Sequence, residues 1–419
     1  MVNTSKETAC LPGGIRNSRV TAPLLNLRVV EMSAFVAAPL GGMTLAQLGA
    51  DVIRVDPIGG NMDYRRWPVG PRGQSLYWAG LNKSKRSIAL ALNTAEGREI
   101  ARGLITARGP DAGILLTNLP ANDWSDYASL SAERSDLILL RLTGNFDGGT
   151  AVDYTVNCAS GFPLITGTTT EPVNHVLPAW DVAAGLYLAT ALLAAERHRS
   201  RTGEGQEIKL ALSDVMLATL GNLGYLSDFE LHQRQREPLG NALYGAFGAD
   251  FKTADSRRIM VAALTSRQWR NILQATGLSK QADAISRTTG LDLDDEGERF
   301  QAHSAICSML VPWIAAHTLA EVRVIFEQHR VLWGPYQDMR QLMNEDARCS
   351  LANPLFQRVE QPGIGMHLMP GSPLSFGAFP RPDVRPAPRL GQHTDELLRD
   401  IIGCSDTEIE RLRAAAIVG

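Results

Sequence analysis

The sequence predicts an α/β protein whose main domain is an open parallel sheet, accompanied by a smaller α+β domain. Two observations predict this fold class. The apolar strand LRVVEMS is followed by helical spacing in APLGGMTLAQLGA and by a second strand, DVIRVD, which together form a βαβ unit. The series continues with SIALAL, AGILLTN and LILLRLTG, and helical stretches such as TAEGREIARGLIT lie between them. Because parallel strands need crossover connections, this alternation predicts a parallel sheet.

The chain changes character after about Ser227. Short strands with turns are predicted in REPLGNALYGAFGADFKTADSRRIMVAAL, and helices follow in SRQWRNILQATG, HSAICSMLVPWIAAH and LAEVRVIFEQHR. A segment rich in proline and glycine begins near Pro354, and the helical pattern TDELLRDIIG then follows. The predicted division is a polar extension (1–24), the first part of the large domain (25–226), the α+β domain (227–345), and a strap with helices that return to the large domain (346–419).

Composition excludes several classes of partner. Of the 419 residues, 44% are hydrophobic and 20% are charged, and the net charge of −3 gives no electrostatic basis for binding nucleic acid or an anionic membrane. The five cysteines are scattered without a CxxC motif, which favours a reducing compartment. No apolar run approaches about 18 residues, and the N-terminus lacks a signal-peptide core. We therefore expect a cytoplasmic protein that binds neither nucleic acid nor membrane.

Motifs for resident cofactors are missing from the sequence. Asp56 ends the second strand, as the ribose-binding acid of a dinucleotide domain does, but the turn SAFVAAPLGG lacks the G-x-G-x-x-G pattern. The sequence contains no P-loop, HExxH or GxSxG motif, and its histidines show no ligand spacing. We expect neither a metal nor a redox cofactor.

Basic residues cluster in loops near the predicted strands, namely Arg65, Arg66, Lys83, Lys85 and Arg86. A solvated rim is one interpretation of this cluster. The other is a ligand carrying phosphate at the carboxyl ends of the parallel strands, where open α/β sheets bind ligands.

Asp181 stands where the extended stretch HVLPAW meets an alanine-rich helical pattern. Aspartate is a favoured N-cap, because its oxygen accepts an otherwise unpaired backbone N–H and its charge suits the positive helix end. Position alone therefore indicates a helix cap.

Five motifs in order resemble the family III CoA-transferases, a family that also includes the α-methylacyl-CoA racemases. They are LGADVIRVDPIGG, NKSKRSIAL, RLTG, the Asp181 segment with RSRTGEGQ, and PRLGQHTDELL. The resemblance covers nearly the whole chain. It implies a Rossmann-like large domain built from both ends of the chain, an interlocked homodimer, and an acyl-CoA thioester substrate in which coenzyme A is part of the substrate and not a resident cofactor.

The resemblance also implies roles for individual residues. Asp181 matches the family's covalent nucleophile, so the cap position and the catalytic position coincide. Asp126 and Thr143 replace two basic residues of the family pattern, which moves the implied phosphate contacts to Arg65, Lys85 or Arg86. The implied CoA-binding residues are Val36, Ala37, Arg65, Lys85, Arg86, Leu90, Asn93, Asn118, Leu119, Thr143 and Gly144.

Intermolecular CoA transfer and racemisation remain as alternatives to intramolecular CoA transfer. The racemases carry a histidine in a GHD run where this chain has Val152 followed by Asp153, so a two-base proton shuttle would lack one member. A narrower resemblance, in DYRRWPVG, PVNHVLPAWD, NALYGAFG and VEQPGIGMHLMPGSPL, is to a branch that moves CoA between the two carboxyl groups of mesaconate in the bacterial 3-hydroxypropionate cycle. The sequence therefore favours intramolecular CoA transfer over intermolecular transfer, and both over racemisation.

Overall fold

The protein is described by a computed structural model that covers residues 22–167 and 171–419. The predicted N-terminal extension therefore lies outside the described residues up to position 21, as does Cys10. The chain divides into two compact units. The first contains the described chain up to Thr143, Asp181–Leu210 and Pro354–Gly419, and the second contains Gly144–Trp180 and Ala211–Asn353.

These units differ from the predicted division at three stretches. Residues 144–180 and 211–226 are predicted in the large domain and 346–353 in the strap, but all three belong to the second unit. The reason is that chain order does not follow space here, since the helix that begins at Ala179 and the strand after it return to the first unit.

Eleven strands occur in the described residues: β1 Arg28–Met32, β2 Asp51–Pro57, β3 Arg86–Leu90, β4 Ile114–Thr117, β5 Ile138–Thr143, β6 Gln206–Ala211, β7 Phe247–Lys252, β8 Arg258–Ala263, β9 Leu332–Pro335, β10 Phe356–Gln361 and β11 Gly365–Pro370.

Seventeen α-helices lie in the same described ranges: α1 Ala37–Gln47, α2 Leu76–Leu81, α3 Ala95–Ile105, α4 Tyr127–Glu133, α5 Asp153–Ala159, α6 Phe162–Thr166, α7 Ala179–Thr202, α8 Leu212–Asn222, α9 Tyr225–His232, α10 Ser266–Thr276, α11 Ser279–Thr289, α12 Glu296–Gln301, α13 His303–Ala315, α14 Leu319–Gln328, α15 Met339–Glu345, α16 Thr394–Leu397 and α17 Asp406–Ala414. Single turns of 3₁₀-helix cover Met62–Arg65 and Ala347–Cys349, and a π-helical turn covers Leu398–Ile402.

The first unit is built on a six-stranded sheet with the order β3-β2-β1-β4-β5-β6. The pairs β1–β2, β2–β3, β1–β4 and β4–β5 are parallel. Strand β6 runs parallel to β5 as well, because Gln206 N–H donates to Leu137 O at one end and the Thr143 hydroxyl donates to Leu210 O at the other. The predicted parallel α/β sheet is confirmed.

The C-terminal segment completes this unit, as the sequence predicted. Ala91 N–H donates to Ile417 O, and Gly419 N–H donates to Ala89 O, so the chain end pairs with the carboxyl end of β3. Side chains from α17 and the chain end join those of β3 and α3 in one buried apolar cluster, which includes Leu90, Leu104, Leu412 and Val418. Burial of this apolar surface is the main force that holds the two ends of the chain together.

The second unit contains an antiparallel sheet with the order β7-β8-β9. Helices α10, α13 and α14 pack on it around a buried cluster that includes Phe247, Trp269, Ile306 and Phe326. The predicted helical segments SRQWRNILQATG, HSAICSMLVPWIAAH and LAEVRVIFEQHR correspond to these three helices.

Candidate active site

The sheet order of the first unit reverses between β1 and β4, and open α/β sheets bind ligands in the crevice at such a point. A cavity of about 490 Å³ lies at the carboxyl ends of these two strands. Its lining combines residues of the strands, the turn after β3, helix α3 and the loop after β4: Met32, Leu92, Arg98, Leu115, Thr117, Leu119, Pro120, Ala121, Asn122, Asp123, Trp124 and Ser125. This end of the sheet therefore offers space for a ligand of nucleotide size.

Polar side chains fix the conformation of the loop from β1 to α1. The Asn118 side chain accepts a hydrogen bond from Ala34 N–H at 2.9 Å and donates one to Ala34 O at 2.8 Å. The Asp63 carboxylate accepts a hydrogen bond from Phe35 N–H at 3.1 Å. Phe35 has a φ of +66°, a left-handed conformation that side chains other than glycine rarely adopt. The loop is therefore held in one conformation by contacts from two directions.

A network of buried charges lies beneath this loop, and Arg54 is its centre. Its guanidinium donates to Asp56 at 2.9 Å, to Asp63 at 3.2 Å and to Ser33 O at 3.0 Å. All of these side chains are almost fully buried. Because removing one partner would leave an uncompensated buried charge, this network ties β2 rigidly to the loop.

Lys85 belongs to the same network. Its ammonium group donates to Glu31 at 2.8 Å, to Pro39 O at 2.9 Å and to Asn82 at 2.9 Å. Burial lowers the pKa of Lys85 to about 8, although the neighbouring Glu31 carboxylate acts in the opposite direction. Lys85 therefore fastens the start of α1 to β1 and does not present its charge to solvent.

Helices α1 and α7 approach each other closely at two glycines, Gly41 and Gly185. A Cβ atom on Gly185 would lie 2.7 Å from Ala37 O, and one on Gly41 would lie 3.0 Å from Gly185 O and 3.3 Å from Leu188 Cβ. Since Ala37 meets Gly185 and Gly41 reaches Leu188, the two helices run in the same direction along this contact.

This contact places the start of α1 beside Asp181. Asp181 precedes Gly185 by four residues, so the two lie on the same face of α7. Asp181 lies on the N-terminal side of this contact on α7. Val36 and Phe35 lie on the N-terminal side of it on the segment that enters α1. The predicted residues Val36, Ala37 and Asp181 are therefore brought together by the fold.

Asp181 is half-buried and lies in the first turn of α7, but it is the third residue of the helix, not the residue before it. The N-cap interpretation is therefore wrong in position. A different carboxylate reaches the helix end, since Trp180 N–H donates to Asp153 at 2.7 Å. Asp153 is buried and also lies 3.2 Å from the His175 ring. A carboxylate in the first turn of a helix is still stabilised in its charged form by the helix dipole.

The Tyr77 hydroxyl lies within electrostatic reach of both Arg66 and Asp181. Burial raises the pKa of Tyr77, the Arg66 charge lowers it, and the Asp181 and Asp63 carboxylates raise it further. The Arg66 guanidinium lies 5.2 Å from the centre of the Tyr77 ring and 5.6 Å from the centre of the Phe35 ring. Tyr77 therefore links the nucleophile candidate Asp181 to Arg66, which in turn contacts Phe35 of the anchored loop.

Comparison with known proteins places this geometry in a family. The model of CoA-transferase family III matches residues 24–394. The chain belongs to CoA-transferase family III. It is 56% identical to 2-methylfumaryl-CoA isomerase of Chloroflexus aurantiacus over 94% of this chain and 97% of that protein. It is 25% identical to succinyl-CoA–D-citramalate CoA-transferase of the same organism, over 96% of this chain and 100% of that protein.

The fold is also that of a solved structure. A CAIB/BAIF family protein from Brucella suis matches with a TM-score of 0.73 and 24% identity, over 90% of this chain and 98% of that chain.

The family-derived CoA contacts fall into two groups in the structure. Most of them lie at the carboxyl ends of the strands. Leu90 ends β3 and is buried, Asn93 is exposed in the following turn, and Leu119 lines the cavity. Thr143 ends β5, and Gly144 follows it at the boundary between the two units.

The predicted cations form the second group. Arg65 is exposed at the end of the turn after β2. Arg86 lies at the opposite, amino end of the sheet, where it pairs with Asp51 at 2.5 Å and with Glu396 at 2.8 Å. With Lys85 buried against Glu31, neither Lys85 nor Arg86 offers its charge to a phosphate at the ligand-binding end. The prediction for these two residues is therefore not supported.

Three residues near the site were missed by the sequence reasoning. Arg98, on α3, lines the cavity, and its Nε–H donates to Leu92 O at 2.8 Å. Its guanidinium is therefore a cation at the carboxyl end of the sheet. Tyr77 belongs to none of the quoted motifs, and His175 stands within PVNHVLPAWD but has no role assigned to it from the sequence. Asp126, which replaces a basic residue of the family pattern, is the N-cap of α4 and accepts from Ser129 N–H at 2.7 Å.

Helix α7 contradicts the expectation that no segment is long and apolar enough to span a membrane. It has 24 residues, and 39% of its most apolar stretch is buried inside the protein. The core helix of a globular protein can have the same length and composition. Among the described residues, no group of three or more His, Cys, Asp or Glu side chains is placed to hold a metal ion.

Proposed function

We propose that this protein moves CoA between the two carboxyl groups of mesaconate, converting 2-methylfumaryl-CoA to 3-methylfumaryl-CoA. The observation that carries the proposal is the 56% identity to a 2-methylfumaryl-CoA isomerase over almost the whole of both chains. The position of Asp181 in the first turn of α7, beside the anchored loop, supplies a nucleophile for this chemistry. We further propose the 3-hydroxypropionate cycle as its pathway.

Asp181 acts as a covalent nucleophile in two mirrored half-reactions. Its carboxylate attacks the thioester carbonyl, and the C–S bond of the resulting adduct breaks. This step forms a mixed anhydride between Asp181 and the acyl group and releases CoA as a thiolate. The thiolate then attacks the aspartyl carbonyl of that anhydride, which releases mesaconate and leaves an aspartyl-CoA thioester. The other carboxylate of mesaconate attacks this thioester and the same steps run in reverse. The reaction gains or loses no proton overall, and Asp181 is regenerated.

The start of α1 supplies candidate donors for the oxyanions of these steps. The first N–H groups of a helix have no partner within the helix. Pro39, the third residue of α1, has no N–H, and Leu40 N–H donates to Val36 O at 2.8 Å. The N–H groups of Ala37 and Ala38 are therefore proposed to stabilise negative charge that develops beside Asp181.

The CoA part of the substrate is proposed to extend from Asp181 along the carboxyl ends of the strands, with its nucleotide in the cavity after β4. Arg98 is the proposed phosphate contact there, with Arg65 as a second, and Asn118 acts by holding the loop at Ala34. Leu90, Asn93 and Leu119 are retained as CoA contacts, and so are Thr143 and Gly144. No metal or redox cofactor takes part in this scheme.

The proposal includes an interlocked homodimer in the cytoplasm, without nucleic acid or membrane partners. These parts rest on the family resemblance and on a net charge of −3. Size-exclusion chromatography with light scattering tests the dimer, and a monomer with full activity would refute it.

The central test is turnover of 2-methylfumaryl-CoA by the wild type and by Asp181→Asn, followed by chromatographic separation of the two CoA isomers. The variant should lose turnover by a factor of at least about 10³, and hydroxylamine should modify Asp181 only when acyl-CoA is present. Asp214→Asn is a matched control, because Asp214 also lies in the first turn of a helix, α8. Equal turnover by the wild type and Asp181→Asn would refute the role of Asp181.

Intermolecular CoA transfer is the second candidate, favoured by the likeness to succinyl-CoA–D-citramalate CoA-transferase. Unlabelled 2-methylfumaryl-CoA is incubated with isotopically labelled free mesaconate. Little label should enter the CoA ester if the diacid stays bound, whereas entry as fast as isomerisation would support intermolecular transfer. A third family activity, racemisation of 2-methylacyl-CoA, would exchange the α-proton with D₂O, and we expect no such exchange.

A further inference from the structure

Arg66 differs from the other cations around the β1–α1 loop. Arg54 and Lys85 are buried and paired with carboxylates, whereas the Arg66 side chain is exposed. Among the described residues its contacts are with aromatic rings, those of Phe35 and Tyr77, and not with a carboxylate. Arg66 also forms a side-chain hydrogen bond with the Tyr77 hydroxyl. A guanidinium has five N–H donors, so an arginine held over two rings and by one hydroxyl keeps donors for an anion.

The backbone of Arg66 is fixed by the segments on either side of it. Its N–H donates to Asp63 O at 3.1 Å, and its carbonyl oxygen accepts from the Ser75 hydroxyl at 2.6 Å. Ser75 is the N-cap of α2, the helix that carries Tyr77. One residue, Asp63, thus anchors both Arg66, through its carbonyl, and Phe35, through its carboxylate. This anchoring holds Arg66, Phe35 and Tyr77 as a unit.

This unit faces the nucleophile. Phe35 precedes the start of α1, which packs beside α7 with Ala37 against Gly185, four residues after Asp181. The effects of Arg66 and Asp181 on Tyr77 agree with this placement, since both charges act on the same hydroxyl. Arg66 and Asp181 therefore act on Tyr77 from different elements, Arg66 from the loop before α2 and Asp181 from α7.

We propose that Arg66 binds the carboxylate of the dicarboxylic acyl group that is not reacting with Asp181, with the rings of Phe35 and Tyr77 orienting the guanidinium. This inference rests on the proposed function and adds the residue that selects a dicarboxylate.

The chemistry of the two half-reactions requires such a group. In each half-reaction one carboxyl group of mesaconate reacts at Asp181. The other is an ionised carboxylate that has lost its hydration on entering the site. A fixed guanidinium can hold that carboxylate through two parallel hydrogen bonds. When the released diacid turns, the same arginine accepts the other carboxylate, so one binding group serves both directions of the reaction.

The test compares two thioesters that differ in one group: 2-methylfumaryl-CoA and (E)-2-methylbut-2-enoyl-CoA, in which a methyl group replaces the free carboxylate. Formation of the covalent Asp181 species is followed in single turnover by a hydroxylamine quench and mass spectrometry. Both substrates can form this species, because it does not need the second carboxylate. The proteins are wild type, Arg66→Gln, Arg66→Lys and the control Arg72→Gln, which removes an exposed arginine from the same loop.

We expect Arg66→Gln to slow the dicarboxylic substrate by about 100-fold and the neutral analogue by less than about threefold. Arg66→Lys should slow the dicarboxylic substrate by about tenfold, and Arg72→Gln should change neither rate. Equal slowing of both substrates by Arg66→Gln, or no slowing of the dicarboxylic one, would overturn the proposal. If Arg66→Gln does not fold, the same comparison with Arg66→Lys decides between these outcomes.

A failure of the proposed function gives a different result. In that case the wild type forms the covalent species from 2-methylfumaryl-CoA but makes no 3-methylfumaryl-CoA. The effect of Arg66 on substrate preference can still be measured, so the two failures are distinguishable.

Discussion

Substitution of Gly185 by alanine should slow catalysis much more than it destabilises the protein. The new Cβ would lie 2.7 Å from Ala37 O and 3.1 Å from Leu40 Cβ, whereas ordinary contact begins at 3.4 Å. The start of α1 must therefore move away from α7 by about 0.7 Å, the difference between 3.4 and 2.7 Å. This movement displaces the N–H groups of Ala37 and Ala38 from Asp181.

The expected magnitudes come from two opposing effects on stability and one on catalysis. Overpacking costs about 1–3 kcal/mol, and replacing a helical glycine by alanine recovers about 1 kcal/mol, so the unfolding free energy should fall by about 0–2 kcal/mol. A displacement of about 1 Å in a catalytic arrangement can cost about 100-fold in rate. We therefore expect kcat for isomerisation to fall by about 10- to 100-fold.

The assay combines kcat for 2-methylfumaryl-CoA with urea unfolding of the same preparation. Gly221→Ala is the control, because Gly221 lies in helix α8 and its nearest neighbour would be Leu226 Cδ1 at an ordinary 3.8 Å. The control should keep kcat and gain up to about 1 kcal/mol of stability. A Gly185→Ala protein that is folded and has the kcat of the wild type would refute the argument that the α1–α7 contact positions the site.

Two further predictions concern hydrogen bonds of the first unit, one at the amino end of β3 and one at the ligand-binding end of the sheet. His393 accepts a hydrogen bond from Ser87 N–H through Nδ1, and burial lowers its pKa below 6.5, so the unfolded chain binds the proton first as the pH falls. Stability should therefore decrease below about pH 6.5, and the urea midpoint of His393→Gln should show a weaker pH dependence between pH 7.5 and 5.5 than that of the wild type. Asn118→Ala removes both hydrogen bonds to Ala34, which should cost about 1–3 kcal/mol in urea unfolding and raise KM for acyl-CoA; an unchanged KM would contradict its role in holding the loop.

The parallel sheet could be predicted because its central strands are nearly continuous apolar runs, as expected when both faces are covered. Strand β6 is not predicted from the sequence, because it is not a continuous apolar run. Its sequence, QEIKLA, mixes charges into the run, and only its last residue is fully buried. Such an edge strand carries a weak pattern, and the contact with β5 that makes it a strand is not local in sequence.

The error about Lys85 has a different physical cause. The sequence shows that a lysine follows a loop, but not whether it points outwards or under the neighbouring helix. Strands β1 and β2 do indicate a buried charge network, since Glu31, Arg54 and Asp56 are charged residues inside otherwise apolar strands. Charges at such positions require buried partners, and Lys85 and Asp63 supply two of them. Reading these strands for unpaired charges would have predicted the network.

The start of α7 is bound by Asp153, a different carboxylate from the proposed nucleophile Asp181. Asp153 accepts a hydrogen bond from Trp180 N–H and so fixes the first turn of α7. Asp181, the residue after Trp180, is therefore not needed for this hydrogen bond and can act as the proposed nucleophile. If Asp153 acts through this hydrogen bond, Asp153→Asn should keep most of kcat, because the amide oxygen still accepts, whereas Asp153→Ala should lose about tenfold in kcat and about 1 kcal/mol in stability. Both variants are assayed for isomerisation and urea unfolding. If Asp153→Asn is as damaging as Asp153→Ala, the charge of Asp153 matters beyond capping, and its pair with His175 would have to take part in the reaction.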